Sequence, residues 1–295
     1  MDTSAARDEV RSRLEERRRR LTESRALSPV KAVLERFKEI DGGNQGVLVS
    51  VQLFTVIIPL MILGFAFFTG FAEHASAGTV WIRELGLTGP TSDTVRAAFG
   101  DTAALRSLWT VLGVAAFLVW GIPMSILVAS VFAKAWRREQ FGVGERLARG
   151  ALWFVLYLTM LVLRERIAYG MDYTGVTQLV MFLIALIPVW AFWSLTPVVL
   201  VRDGGHGPKY LALAGLAGVV IDGIIIPVVG RLLFPAVIDA WTDFGPIGVA
   251  MAIMTWCGVV GTGWVLTACV GAVLWERTAP TNTVIGAQTA ETVDA

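Results

Sequence analysis

From Gly46 to Trp275 the chain alternates between long apolar stretches and short polar connections. Six stretches, at 47–71, 108–133, 147–163, 176–201, 210–234 and 247–275, each meet or approach the length of a membrane-crossing helix. A hydrocarbon core of about 30 Å takes about 20 mostly apolar residues of helix. The pattern predicts an all-α, polytopic membrane protein with six transmembrane helices. The expected organisation is a charged and amphipathic cytoplasmic segment over 1–45, a six-helix domain over 46–277 and a disordered Thr- and Ala-rich tail over 278–295.

The polar segment before the first span has two parts. Residues 5–25 are densely charged, with four consecutive arginines at 17–20. They read as a solvated helix or as a polybasic contact with anionic lipid, diluted by neighbouring acids. Further on, Ser28 suits an N-cap and Pro29 the first helical position. Val30, Val33, Leu34, Phe37 and Ile40 then recur at helical spacing, with Lys31, Glu35, Arg36, Lys38 and Glu39 assigned to the other face. This predicts an amphipathic helix on the cytoplasmic interface or against the bundle, ended by Gly42-Gly43. Between the first two spans, a short helix is expected near 92–104, capping the bundle or dipping into the interface.

Composition fits a membrane protein: 55% of residues are apolar, 17% are charged, and the mean hydropathy is +0.64. The net charge of +1 conceals an asymmetry. With the N-terminus inside, cytoplasmic segments hold 19 of the 25 Lys and Arg. The positive-inside rule therefore places both ends in the cytoplasm. Arg164 and Arg166 fall outside, with Glu165 and Asp172 near enough to pair. The first apolar run is too long for a signal-peptide core and reads as a signal anchor. Tryptophans such as Trp81, Trp109, Trp136, Trp241 and Trp275 lie near span ends, as an interfacial belt requires.

Little inside the spans is polar. Asp222 is the one acid in the middle of a span, where a carboxylate costs about 2.5–3.5 kcal/mol on insertion scales. Ala214 and Gly218 precede it at four-residue spacing and share its face, so Asp222 is expected to point into the bundle or a wet cavity. It reads either as a proton or cation relay on a polar path or as a carboxyl that stitches two helices together. Thr255, Thr262 and Thr267 with Gly258, Gly261 and Gly263 make one side of the last span small and polar. Gln52, Thr55 and Thr69 in the first span, and Gln178 at the start of the fourth, add modest polarity. Prolines 59, 123, 188, 197 and 227 predict kinks.

No catalytic, metal-binding or cofactor-binding set is visible. Cys257 and Cys269 read as small buried residues, and His74 and His206 have no ligand partner at metal spacing. A phosphate-cradling GxxxxGK[ST] loop does not occur. An enzyme is not expected.

Phe244-Gly245-Pro246-Ile247-Gly248-Val249-Ala250, then Trp256, then Gly271-Ala272-Val273-Leu274 resemble the closing signature of the YihY/BrkB family of inner-membrane proteins. Asp41-Gly42-Gly43, Phe54 and Ile58-Pro59-Leu60 resemble the family's first span; Val56-Ile57-Ile58 stands where a Ser-rich stretch is usual. The resemblance runs over roughly 30–277. It implies a six-helix bacterial inner-membrane protein with cytoplasmic ends, in a family linked to transport of lipids or other envelope components and to serum resistance. Some members have been labelled ribonuclease BN, but this chain shows no metal-ligand cluster or basic cleft for a nucleic acid. The resulting expectation is a translocator of an envelope-related solute or lipid, surrounded by membrane lipids and able to homo-oligomerise. The competing expectation is a scaffold whose N-terminal helices recruit a cytoplasmic partner.

Overall fold

A computed structural model describes residues 28–67, 82, 87–99, 109–169, 175–202, 204, 207–241, 244 and 246–279. The charged segment 5–25, the tail beyond 279, Trp81, Asp172 and both histidines lie outside the described residues. Among the described residues the architecture is all-helical. Its elements are α1 (Ser28–Glu39), α2 (Gly42–Phe67), α3 (Pro90–Phe99), α4 (Trp109–Ala135), α5 (Val143–Tyr169), α6 (Val176–Leu200), α7 (Pro208–Gly218), a π-helical segment (Val219–Ile225), α8 (Ile226–Ala240) and α9 (Pro246–Thr278).

Among the described residues four helical stretches are long and apolar enough to cross a membrane: Val143–Arg164, Val176–Leu200, Lys209–Ala240 and Ile247–Thr278. The third is α7, the π segment and α8 run together. Two more helices, α2 and α4, are 26 and 27 residues long and rich in apolar residues. The outer faces of α5 and α6 are apolar too: Leu152, Val155, Val176, Leu179, Leu183 and Ile187 are exposed. Such a surface suits hydrocarbon and would aggregate in water.

The last helix is the hub. α9 packs against α1, α2, α4, α7, α8 and the π segment, and most of its apolar length is buried. Small residues allow this. A Cβ on Gly261 would lie 2.5 Å from Ser50 Oγ and 2.6 Å from the Gly46 carbonyl oxygen, so glycine lets α2 and α9 meet backbone to backbone. In a bilayer lipid is as apolar as leucine, and close packing of this kind replaces the hydrophobic effect as the associating force.

The π segment has a local cause. Pro227 has no N–H, and its ring clashes with the carbonyl four residues back. The chain widens just before it, and Ile226 N–H bonds to the Ile221 carbonyl five residues back.

One end of the bundle gathers α1, the close of α4 and the close of α9. Arg36, expected on the solvent face of α1, is instead buried, at 4% exposure. It donates to Glu276 at 2.8 and 2.9 Å and to the Ala135 carbonyl at the end of α4. A guanidinium is favoured there because the last carbonyls of a helix are unpaired and carry partial negative charge. Val30 and Leu34 correspondingly stay exposed, while Val33 and Phe37 pack on the core. Arg137, in the left-handed region at φ 51°, closes α4 and donates to Glu39 at 2.6 and 2.9 Å. That bond holds the Glu39 carboxyl below its ordinary range and raises Arg137. Arg277 donates to the hydroxyl and carbonyl of Ser28. At the turn after α1, Asp41 takes the left-handed conformation at φ 55°, and Gly42 is needed because a Cβ there would strike the Phe37 ring.

At the opposite end α3 lies against α8 and α9, with Val95 fully buried and Thr91 reaching Asp239 at 3.4 Å. The expected short helix thus starts at Pro90, and residues 100–104 lie outside the described residues.

Candidate functional site

The polar group at the centre of the bundle is Asp222, in the π segment. It is 7% exposed. Trp193 Nε1 of α6 donates to its Oδ2 at 3.2 Å, and Trp264 Nε1 of α9 donates to its Oδ1 at 3.1 Å. Each carboxylate oxygen therefore has one indole donor from a different helix. A buried polar group is tolerated where hydrogen-bond partners replace lost water, and here the two indoles supply the donors.

Rings from three helices surround the two indoles. Trp153 and Tyr157 of α5, Phe192 of α6 and Phe132 of α4 join Trp193 and Trp264, with neighbouring centroids 5.1–6.3 Å apart. Most contacts are tilted or edge-on, the geometry that ring quadrupoles favour. Trp153 donates to Thr196 Oγ1 at 3.1 Å, and Thr196 in turn donates to the Phe192 carbonyl.

Gly218 lies one turn before Asp222 and meets the same indole. A Cβ there would fall 2.0 Å from Trp193 Cγ, so the ring rests on bare backbone. Ala214 is buried and faces Gly271 of α9. The face shared by Ala214, Gly218 and Asp222 is therefore real and is turned towards α6 and α9.

The other expected path residues do not join it. Thr255 and Thr262 are exposed. Thr255 spends its hydroxyl on the Met251 carbonyl, and Thr262 sits beside Gly46 in the α2–α9 contact. Gln52 is half-buried on α2. Ser50, Ser125, Ser194 and Thr267 likewise donate to carbonyls four residues back on their own helices. Span hydroxyls of this kind satisfy themselves locally and line nothing. The small side of α9 serves helix packing: Gly261 faces α2, and Gly263 faces Ile226 and Ile221.

Sequence reasoning missed Trp193 and Trp264. It also placed Trp136 and Trp275 in an interfacial belt, but both are buried and their rings meet at 5.8 Å. They fill the junction under α1 instead of facing lipid. Trp241, at the end of α8, is 36% exposed. The available signal was position: an indole in mid-span has no water for its N–H and must find an acceptor.

Among the described residues no group of three or more His, Cys, Asp or Glu could hold a metal ion. The chain matches no protein-family model, no curated protein and no solved structure.

Proposed function

We propose that this is a six-span bacterial inner-membrane protein of the YihY/BrkB type that translocates an envelope-related solute or lipid, with both ends in the cytoplasm. The observation carrying the transport reading is Asp222 in a π-helical break at the centre of the bundle, tied to α6 and α9 through Trp193 and Trp264. π segments concentrate at functional sites, and an ionisable group in mid-membrane is costly enough to need a purpose. In the ionised state the carboxylate accepts from both indoles. A proton or small cation arriving at Asp222 competes for those oxygens and weakens the hold on two helices at once. α6 and α9 then shift against the π segment, which acts as the hinge. The substrate is a solute or lipid moved by that rearrangement.

The six-span topology is supported by α2 and α4, which have span length beside the four stretches above. Orientation is supported by charge: among the described residues, the end of the bundle holding α1, 136–142, Arg202 and Glu276 carries most of the Lys and Arg. For the scaffold reading, α1 is bound into the bundle through buried Arg36 and keeps Val30 and Leu34 exposed, while 5–25 lies outside the described residues.

The test is water access at mid-membrane. Cys257 and Cys269 are fully buried and give a quiet background. Asp222→Cys in membranes is expected to react with a small membrane-impermeant thiol reagent from at least one side. No reaction, in a folded and inserted protein, means a dry bundle and removes the transport reading.

A further inference from the structure

At the same end of the bundle as α1, a groove of about 630 Å³ opens between the connection after α4, the first turns of α5 and the close of α6. It is lined by Phe141, Gly142, Glu145, Arg149, Val198 and Arg202, among others. We propose that this groove binds the phosphodiester headgroup of an anionic membrane phospholipid. The proposal rests on reading α5 and α6 as membrane-spanning.

The chemistry is set by how the two arginines are held. Arg149 lies with its guanidinium carbon 4.2 Å from the centroid of the Phe141 ring, which fixes the plane of the cation. Its Nε donates to Glu145 Oε1 at 2.8 Å, and its Nη1 donates to the carbonyls of Val198 and Val199 at 3.4 and 3.2 Å. Those carbonyls belong to the last turn of α6, so the negative helix end is already covered. Among the described residues nothing accepts from Nη2, and the side chain is 37% exposed. Arg202 is 56% exposed and makes one long contact, 3.4 Å, to Glu139. Both guanidiniums keep N–H donors for an added anion: Arg149 through Nη2, and Arg202 because its one contact is the long one to exposed Glu139. Planar guanidinium forks match phosphate oxygens in geometry as well as charge.

Position favours lipid phosphate over free phosphate. The groove sits where two apolar helices, α5 and α6, begin and end, at headgroup depth. Its wall is half apolar, through Phe141, Val198 and Val201. One turn further into the apolar region, exposed Leu152 on α5 and Leu195 on α6 offer a surface for an acyl chain. Basic pockets between spanning helices on the cytoplasmic side hold anionic headgroups in this way. Gly142, with nothing within 4 Å of a Cβ built on it, leaves the entrance open.

The test uses the full chain in detergent, titrated with phosphatidylglycerol and read by native mass spectrometry. Arg202→Gln is expected to weaken lipid binding about tenfold, as loss of one charged hydrogen bond would, with the melting temperature unchanged. Arg149→Gln with Arg202→Gln should weaken it further, and Glu145→Gln should tighten it by removing the competing carboxylate. Equal affinity of wild type and Arg202→Gln for phosphatidylglycerol overturns the proposal, as does equal binding of phosphatidylcholine. Displacement of the lipid by an equal concentration of inorganic phosphate also overturns it, making this a site for a free anion. If the lipid result fails while the chain still resists extraction from membranes by carbonate, the headgroup site falls and the spanning helices stand.

Discussion

Each Asp222 oxygen has its own indole donor, so the energetics of the site can be taken apart one residue at a time. Asp222→Asn keeps the shape but offers one oxygen, leaving one indole N–H facing an amide. A buried donor without an acceptor costs about 1–3 kcal/mol. The expected result is a lower melting temperature in detergent. In a double-mutant cycle with Trp264→Phe, the coupling should be about 0.5–3 kcal/mol; additivity would mean the bond carries nothing. Gly218→Ala forces a methyl into the Trp193 ring and should cost about 1–3 kcal/mol by overpacking. Gly258→Ala, in the same bundle with open space around it, should be neutral or slightly stabilising. Asp222 was legible in the sequence because charge is scarce in a span. Its partners were not, because Trp193 and Trp264 are 29 and 42 positions from it along the chain and only packing pairs them.

Helices were legible as elements wherever their signal was local, and misread where a neighbour decided the outcome. Apolar run length located the long helices, but α1 stops at Glu39 and turns at Ile40-Asp41, and the expected terminators Gly42-Gly43 instead open α2. The orientation of α1 was another matter. A helical wheel puts Arg36 with the charged residues, but Glu276 and the open carbonyl end of α4 draw it inward. Arg36→Met should strand the Glu276 carboxylate and cost about 1.5–3 kcal/mol, seen as faster protease cleavage within α1. The Arg137–Glu39 pair adds a pH dependence. Glu39 titrates below its ordinary value of 4.5 when folded, chiefly because Arg137 donates to it. Its contribution is therefore complete above the unfolded value and is lost as pH falls through the lower folded value. Being 43% exposed and screened, the pair is worth no more than about 1 kcal/mol. Protease sensitivity of α1 should rise modestly on acidification through that range, and Glu39→Gln should abolish the rise.

For the whole molecule the decisive prediction is sidedness. Gly144, at the groove end and in open space, and Asp93, exposed on α3, lie at opposite ends of the bundle. With single cysteines there, intact cells should label at position 93 with an impermeant reagent and at position 144 only after they are opened. The reverse pattern would invert the topology and move the groove to the other leaflet. Native Cys257 and Cys269 should stay silent in either case, since both are fully enclosed.

The sequence by itself marked an apolar, all-helical protein and the order of its long helices. Both follow from a local quantity, the count of apolar residues against the thickness of hydrocarbon; the bounds did not, since α5 runs Val143–Tyr169 where 147–163 was expected, and Pro123, Pro188 and Pro197 lie inside helices. It also marked Asp222 as exceptional. Only the tertiary structure decided what each polar group faces. In a bilayer apolar pattern no longer separates inside from outside, because lipid-facing and core-facing residues are equally apolar. Which tryptophans meet the carboxylate, which threonines face outward and where Arg36 is buried therefore depended on close packing between helices far apart in the chain.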